Sequence, residues 1–217
     1  MIYFGKSITL ASVIWDNSKE HMNRTVRVMR WMESRCWFDR TVLFSACAPP
    51  LSWSPCRLVQ IPATDEIGFN TFLLKTLPHM IDTELLMLVQ DDGFIIDPDL
   101  WNPAFATYDF IGAPWGDGFV GNWGFCIQSH KFLNLRKRFG FIQTANADTF
   151  LCRDNHLALV MGSGIRFAPT DLAAKFSTET THNDQLSLGF HGRTHSPEKY
   201  KLGWERIEAW EKTVDNS

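Results

Sequence analysis

The sequence has few cysteines, and none of them lie close together. Five occur among 217 residues, and no two show the Cys-x-x-Cys spacing of common metal sites: Cys36, Cys47, Cys56, Cys126 and Cys152. An odd number of widely spaced cysteines indicates neither a structural zinc site nor a disulfide framework. A reducing compartment is the simplest setting for such a chain, so we expect a cytoplasmic protein.

Signatures of several common enzyme classes are also missing. No Gly-x-Gly-x-x-Gly pattern follows the first predicted strand, and neither a complete Gly-x-x-x-x-Gly-Lys-Ser/Thr loop nor Gly-x-Ser-x-Gly occurs. These absences disfavour dinucleotide-binding enzymes, P-loop hydrolases and serine hydrolases. No apolar stretch is long enough to span a bilayer, and the first residues lack the pattern of a secretion signal. We therefore expect no membrane span.

Charge of one sign is not in large excess either. The formal net charge is −3, with 45% hydrophobic and 21% charged residues. This balance disfavours a general nucleic-acid grip, which usually requires a basic face. The length fits one domain with a full core, and the sequence shows no internal repeat, low-complexity tract or linker. We predict a single domain over residues 1–217.

Apolar periodicity predicts alternating strands and helices in the first half. Apolar residues spaced by three or four positions predict helices over Lys19–Arg35 and Gly68–Met80. Runs of apolar and β-branched residues predict strands, and prolines predict a loop over Pro49–Pro55. The predicted strands are Ser7–Trp15, Thr41–Ala46, Arg57–Ile61 and Glu84–Gln90. The order β-α-β-β-α-β predicts an α/β sandwich with a mostly parallel central sheet.

The second half has a different pattern. Four glycines in Gly116–Gly124 predict a loop suited to lie against a ligand. Apolar spacing predicts short strands over Tyr108–Trp115, Phe125–Gln128 and Ile165–Ala168. The predicted helical segments are Pro98–Phe105, Lys131–Phe139, Ala147–Met161, Asp171–Phe176 and Trp204–Trp210.

The fourth predicted strand ends in two adjacent carboxylates and a glycine, Asp91, Asp92 and Gly93. Open α/β sheets bind ligands at the carboxyl ends of their strands. Adjacent carboxylates repel unless a cation or hydrogen-bond donors neutralise them, so one interpretation is a Mg²⁺ or Mn²⁺ site that holds a diphosphate. The alternative is an ordinary acidic turn, since Asp-Gly is a common turn pair.

An ordered series of motifs surrounds this strand end. It runs through Gln90-Asp91-Asp92-Gly93-Phe94, Tyr108-Asp109-Phe110-Ile111-Gly112-Ala113-Pro114-Trp115, Val120-Gly121-Asn122-Trp123-Gly124-Phe125, Ala147-Asp148, Gly164-Ile165-Arg166-Phe167-Ala168-Pro169, Phe176-Ser177-Thr178-Glu179 and Gly189-Phe190-His191-Gly192. The series, from roughly Asp65 to Gly192, resembles an uncharacterised domain family that is similar to GT-A-fold glycosyltransferases. Several motifs in order are far more specific than one.

The resemblance implies a GT-A-like fold, with a nucleotide-sugar-binding half over about residues 1–97 and an acceptor half over about 98–217. It implies a donor such as a UDP- or GDP-sugar and a Mn²⁺ or Mg²⁺ cofactor. Asp92 matches the family aspartate that binds the ion, and His191 matches a late histidine that completes the metal shell. Asp91 stands where relatives often have an aromatic residue. It is a second metal ligand, a ribose contact or a surface change. Without the resemblance, the favoured interpretation of His191 is a histidine that forms a local hydrogen bond in a glycine-bounded turn.

Asp148 matches the aspartate of a family Glu-Asp pair. As a general base it would take the proton from an attacking hydroxyl. Composition alone favours an ordinary aspartate that caps a helix. Here the preceding residue is Ala147 rather than glutamate, which puts a two-carboxylate scheme in doubt and leaves a single base.

Trp115, Asn122 and Trp123 lie in or beside the glycine-rich loop, and we hypothesise that they shape an acceptor pocket. Trp123 stands where the family usually has glycine, so its ring narrows the site or offers a stacking surface. Trp115 is equally well a core residue, since tryptophan is usually largely buried.

The sequence thus predicts a metal-dependent glycosyltransferase acting on a hydroxyl of a glycan, a lipid or a modified base. One alternative is a non-catalytic module that binds sugar nucleotides or glycans, because fold does not determine function. Another is a transferase acting on a modified nucleobase in DNA, for which the basic stretch containing Lys131, Arg136, Lys137 and Arg138 is the one hint. A solvated helix face explains that stretch more simply.

Overall fold

The computed structural model describes residues 1–47, 56–138, 146–182 and 184–214. The predicted loop Pro49–Pro55 lies outside them. The main sheet contains β1 (Ile8–Ile14), β2 (Arg40–Ser45), β3 (Arg57–Gln60), β4 (Leu85–Val89), β6 (Phe110–Ile111) and β7 (Phe125–Ser129). A smaller sheet contains β5 (Gly93–Ile95), β8 (Ser177–Thr178) and β9 (Gly189–His191). The α-helices are α1 (Lys19–Arg35), α2 (Glu66–Thr71), α3 (His130–Arg136), α4 (Ala147–Thr149), α5 (Thr170–Phe176) and α6 (Pro197–Val214).

The main sheet has the order β3-β2-β1-β4-β7-β6. The first four strands in this order run parallel, and β7 pairs antiparallel with both β4 and β6. Every residue of β1 and β4 is buried, as expected for central parallel strands made of continuous apolar runs. The predicted α/β architecture with a mostly parallel central sheet is confirmed.

Helix α1 begins and ends where the apolar spacing predicts. Ser18 caps its start, because the Ser18 hydroxyl accepts a hydrogen bond from the His21 amide at 3.2 Å. Met22, Met29 and Met32 are buried along one side and anchor the helix to the core.

Two predicted helices differ in detail. The one predicted from Gly68 begins at Glu66, because Asp65 caps it by accepting the Gly68 amide at 2.9 Å. It continues after Thr71 as a wider π-type turn over Phe72–Thr76 and a 3-10 turn over Leu77–His79. Pro78 lies in that last turn and cannot donate a backbone hydrogen bond, so it does not prolong an α-helix.

The helix predicted over Ala147–Met161 is α-helical only at its first three residues and at His156 and Leu157. Wide π-type turns follow over Phe150–Asp154 and Ala158–Gly162. Asn155 interrupts them, since its backbone amide and its side-chain amide both donate to the Phe150 carbonyl. The predicted strand Ile165–Ala168 forms one isolated bridge, between Phe110 and Phe167.

The last helix is longer than the predicted Trp204–Trp210. Helix α6 packs on α1, where Arg27 donates to both carboxylate oxygens of Glu211 at 2.8 and 2.7 Å. The Trp31 and Trp210 rings meet edge to face at 6.1 Å. Among the described residues, no helix combines the length and the apolar character that crossing a membrane requires.

Candidate active site

A tight turn joins the main sheet to the small sheet. Gln90 and Gly93 exchange backbone hydrogen bonds of 3.1 Å in each direction, so Asp91 and Asp92 form a two-residue turn between β4 and β5. The two side chains of this turn point in different directions, Asp91 toward Arg24 and Asp92 toward His191. The two carboxylates therefore enter different surroundings.

The first carboxylate, Asp91, is an ion-pair partner of helix α1. Its Oδ2 accepts a hydrogen bond from Arg24 Nε at 2.5 Å, and its Oδ1 lies 3.6 Å from His21 Nε2. Arg193 lies 3.6 Å from Oδ2. The two arginines neutralise a side chain that is only 10% exposed. Asp91 thereby ties α1 to the strand end.

The second carboxylate, Asp92, lies beside His191. Asp92 Oδ1 is 3.8 Å from His191 Nε2, while Oδ2 accepts the Arg193 amide at 3.1 Å. Strand β9 sets this approach, because His191 pairs with Gly93 in the antiparallel β5–β9 register. The predicted pair Asp92 and His191 is therefore brought together.

Two glycines flank the imidazole of His191. A Cβ atom on Gly124 would lie 2.0 Å from His191 Nε2 and Cδ2, and one on Gly93 would lie 2.8 Å from Cδ2. Any side chain at either position would displace the ring. These glycines are needed because backbone approaches the histidine closely.

A buried carboxylate orients the far side of the same ring. Glu179 Oε1 lies 3.0 Å from His191 Nδ1. Burial is the largest single influence on Glu179 and opposes its ionisation, but the hydrogen bonds from His191 and Asn122 and the positive charge of His191 together outweigh it and lower the pKa of this carboxyl. An ionised carboxylate only accepts, so Nδ1 carries a proton and donates it to Glu179. The Asn122 side-chain amide donates to Glu179 as well, while Asn122 Oδ1 accepts the Gly124 amide at 2.9 Å.

The near side of the ring, Nε2, faces Gln90 as well as Asp92. Gln90 Oε1 lies 3.2 Å from Nε2. Burial favours the neutral imidazole, but the hydrogen bond to Glu179 and the negative charge of Asp92 outweigh it and raise the pKa of His191. With acceptors at both nitrogens, the ring is suited to hold two protons or to exchange the Nε2 proton for a metal ion.

Asp148 lies at the start of α4. Its Oδ1 accepts the Thr149 amide at 2.6 Å, and the Trp123 amide also donates to this carboxylate. Burial is the largest influence and raises the pKa of Asp148 above the ordinary aspartate value. Asp148 is thus a partly buried carboxylate with a raised proton affinity, a property common among catalytic acids and bases.

A cavity of about 280 Å³ brings these groups together. Its lining includes the side chains of Gln90, His191 and Asp148, with the rings of Trp15, Phe69 and Trp123. Loops after β1 and β4, the residues before β7, and helices α2 and α4 each supply part of the wall. A polar end and an aromatic end thus share one pocket.

The predicted acceptor residues have distinct positions. Trp123 lines the cavity although it is 3% exposed. Asn122 is buried with positive φ of 61° and contacts His191. Trp115 is half-buried against Gly121, where an added Cβ would lie 2.1 Å from the indole ring.

Sequence reasoning did not assign roles to Gln90 or Glu179. Both residues lie within motifs of the series, so the motifs could have marked them as candidate site residues. Their positions against His191 depend on the β5–β9 pairing, which the residue pattern alone did not reveal.

The basic stretch after β7 presents fewer free positive charges at the surface than its sequence suggests. Arg136 is fully buried, and Lys131 contacts Asp109 and the Gly164 carbonyl. Lys137 donates to Asn134 at 2.8 Å. Arg136 is therefore not available to bind phosphate at the surface.

The residues around His191 fit part of a divalent-metal site. Asp92 Oδ1, His191 Nε2 and Gln90 Oε1 are of the ligand types that Mn²⁺ accepts. The Nδ1 contact with Glu179 is the usual support of a ligating histidine. Among the described residues, no group of three His, Cys, Asp or Glu side chains could hold a metal by itself. This donor set therefore needs ligands from a bound substrate, as Mg²⁺ and Mn²⁺ sites on phosphates commonly do.

The sequence model of one family, described as "Protein of unknown function (DUF5672)", matches residues 61–191. A search of curated proteins found no match.

Solved structures of similar fold include two glycosyltransferases. The galactosyltransferase LgtC, in complex with donor and acceptor sugar analogs, aligns at TM-score 0.55 and 12% identity over 94% of this chain and 95% of its own. A glycosyltransferase involved in glycosylation of the major capsid of PBCV-1 aligns at TM-score 0.54 and 14% identity, over 93% and 99%. A mannosyltransferase from Pyrobaculum calidifontis, in complex with GDP-Man and Mn²⁺, aligns at TM-score 0.46 and 11% identity over 76% and 54%, too weakly to bear on the site. The fold is that of GT-A glycosyltransferases.

Proposed function

We propose that this chain, which belongs to the DUF5672 family, is a metal-dependent glycosyltransferase that moves a sugar from a nucleotide donor to a hydroxyl acceptor. One observation carries the proposal. Asp92, Gln90 and His191 converge at the carboxyl end of β4, and Gln90 and His191 share a cavity with the partly buried Asp148. A cation-binding edge and a buried base are the two parts that such a transfer needs.

The donor is a UDP- or GDP-sugar whose diphosphate completes the ion's coordination. Asp92 and His191 would hold Mn²⁺ or Mg²⁺, with Gln90 as a third oxygen donor, and the ion would neutralise the departing diphosphate. Glu179 keeps the His191 ring oriented by accepting from Nδ1. Asp91 remains paired with Arg24 and has a structural role rather than a role in metal binding.

Asp148 is the general base. Its carboxylate lines the cavity and accepts the acceptor's hydroxyl proton as the new glycosidic bond forms. Burial raises the pKa of Asp148, so the carboxylate binds that proton more strongly than an exposed aspartate does. Trp15, Phe69 and Trp123 supply flat apolar faces for the acceptor, which we infer to be a glycan, a lipid headgroup or another hydroxyl compound.

Isothermal titration with UDP and GDP, each with and without Mn²⁺, tests the donor site. We expect metal-dependent binding of at least one nucleotide, lost in His191→Ala. Absence of binding with either Mn²⁺ or Mg²⁺ would overturn the proposal. Transfer from a panel of nucleotide sugars, abolished in Asp148→Asn but with nucleotide binding retained, tests the chemistry.

A second function is favoured by one observation. Ala147 replaces the family glutamate and is buried, with its amide donated to Asn70 Oδ1 at 2.8 Å. A second carboxylate is therefore missing at this position, and the chain would be a sugar-nucleotide-binding module without transfer. Metal-dependent binding with no turnover of any donor, by wild type and Asp148→Asn alike, would support this module.

A further inference from the structure

Arg136 is the one arginine among the largest fully buried side chains of the described residues. It extends from the last residue of α3 into the space behind the candidate cavity. Burial lowers the pKa of Arg136 to about 9, which still leaves the guanidinium charged at neutral pH. Within the described ranges no carboxylate lies within ion-pair distance of it. A charge in this setting is costly unless other groups compensate it.

Its contacts are with two walls of the cavity. The guanidinium lies over the Trp123 ring at 4.5 Å, and NH2 donates to the Leu73 carbonyl at 2.5 Å. NH1 donates to Gln128 Oε1 on β7. Trp123 and Leu73 both line the cavity, whereas Arg136 is not among its lining residues. Arg136 therefore contacts two residues of the cavity wall, Trp123 and Leu73, but does not itself line the cavity.

Two hydrogen bonds also hold Trp123 in place. Its Nε1–H donates to Cys152 Sγ at 3.4 Å, and its backbone amide donates to Asp148. The ring face carries the cation–π contact that stabilises a buried guanidinium. The indole and the guanidinium thus depend on each other: the ring offsets the buried charge, and the charge prevents the ring from tilting into the cavity.

We propose that Arg136 is a positioning residue, which fixes the Trp123 ring as the floor of the cavity and so limits how deeply an acceptor reaches toward Asp148. The effect on acceptor binding rests on the proposed transferase, whereas the position of the ring does not.

The first experiment follows the indole itself. In the ¹⁵N-labelled protein, the Trp123 indole resonance is identified by its loss in Trp123→Phe. We expect a clear displacement or broadening of that resonance in Arg136→Met, and a smaller one in Arg136→Lys, which retains the charge but not the planar stack. Arg138→Met removes an exposed guanidinium from the same segment and should leave the resonance unchanged.

The second experiment separates acceptor from donor binding. Methyl glucoside and methyl galactoside are titrated in the presence of UDP and Mn²⁺. Arg136→Met should weaken binding of the sugar that wild type holds by roughly tenfold, while the UDP–Mn²⁺ dissociation constant stays within about twofold, because Asp92 and His191 do not contact Arg136.

An unchanged indole resonance in both Arg136 variants overturns the proposal. So does an equal loss of sugar and UDP–Mn²⁺ binding, which is what general destabilisation produces. If Arg136→Met does not fold, the resonance in Arg136→Lys decides: displacement supports the proposal and no displacement rejects it. If wild type binds no nucleotide, the proposed function fails while the indole measurement still tests the role of Arg136.

Discussion

Asp91 and Asp92 are neighbours in sequence with opposite surroundings. Asp91 is neutralised by Arg24 and its neighbours, whereas Asp92 faces the imidazole of His191. The first is built into the packing between α1 and the strand end, and the second is the proposed cation ligand. Single substitutions should therefore separate stability from binding.

Asp91→Asn should destabilise the fold and spare the ligand site. Breaking a buried ion pair costs about 3–5 kcal/mol, and we expect about 2 kcal/mol here because Arg24 retains some access to water. Urea denaturation measures this loss. Asp92→Asn should change the free energy of unfolding by no more than about 0.5 kcal/mol, because asparagine keeps an oxygen that accepts the Arg193 amide, yet it should lose metal-dependent nucleotide binding. The reverse pattern would make Asp91 the metal ligand.

Gly124→Ala should abolish metal-dependent nucleotide binding. The new methyl group would overlap His191 Nε2, so the ring must leave its place between Gly93 and Gly124. Calorimetry with UDP and Mn²⁺ measures the loss. Gly162→Ala is the control, because a Cβ atom there meets nothing within 4 Å. Normal binding by Gly124→Ala would show that the position of His191 is not required.

The pH dependence of transfer should report Asp148. The reaction needs its deprotonated form, and burial raises the pKa of Asp148, so activity should fall on acidification at a higher pH than an ordinary aspartate would give. Single-turnover rates measured between about pH 4 and 8 give the profile. This range covers the titration of a carboxyl with a raised pKa and that of histidine. A rate that is independent of pH across this range would exclude Asp148 as the base.

Among the elements, α6 holds the small sheet against α1. Its Gly203 packs on the rings and methyl groups beneath it, where an added Cβ would lie 2.8 Å from Phe94 Cζ and 3.0 Å from Ile96 Cγ2. Phe94 belongs to β5, the strand that follows the Asp91–Asp92 turn. The helix therefore supports the site from behind.

Gly203→Ala should destabilise the protein although alanine favours helix. The helix preference contributes about 1 kcal/mol of stability, whereas overpacking a fully buried ring costs about 1–3 kcal/mol, so we expect a net loss of about 1 kcal/mol. Thermal unfolding measures it. Gly162→Ala, at an open position, should be neutral or slightly stabilising. A higher melting temperature for Gly203→Ala would mean that α6 is less closely packed.

At the scale of the whole molecule, the cavity joins segments that are distant in the chain. Trp15 and Gln90 come from the first 97 residues, and Asp148 and His191 from the rest. Whether residues 1–217 fold as one unit stays a prediction. A ligand that contacts both parts should stabilise the entire fold.

UDP with Mn²⁺ should raise the melting temperature, while either alone should raise it little. Saturation at 100 times the dissociation constant contributes about 2.7 kcal/mol, which corresponds to about 5–10 °C for a protein of this size. Differential scanning fluorimetry with UDP, GDP and each metal tests this. The shift should vanish in His191→Ala. A shift with nucleotide alone, unaffected by chelator, would contradict metal dependence.

Much of the fold followed from local residue patterns. Buried strands such as β1 and β4 are continuous apolar runs, and α1 has a capping serine and a regular apolar stripe. The wide π-type turns after Thr71 and Thr149 were not predicted, because the apolar spacing there is also that of an α-helix. The predicted strand Ile165–Ala168 has strand-like residues but finds a partner at one bridge alone.

The sequence by itself determined the central strands and helix α1 and pointed to Asp92, His191 and Asp148 as candidate site residues, because apolar period, capping and motif order are local properties. Only the tertiary structure decided which partner each polar group meets. Pairing of β5 with β9 placed His191 beside Asp92, packing of α1 placed Arg24 on Asp91, and burial placed Arg136 behind Trp123. Those contacts join residues far apart in the chain, and their geometry depends on strand register and packing rather than on residue type.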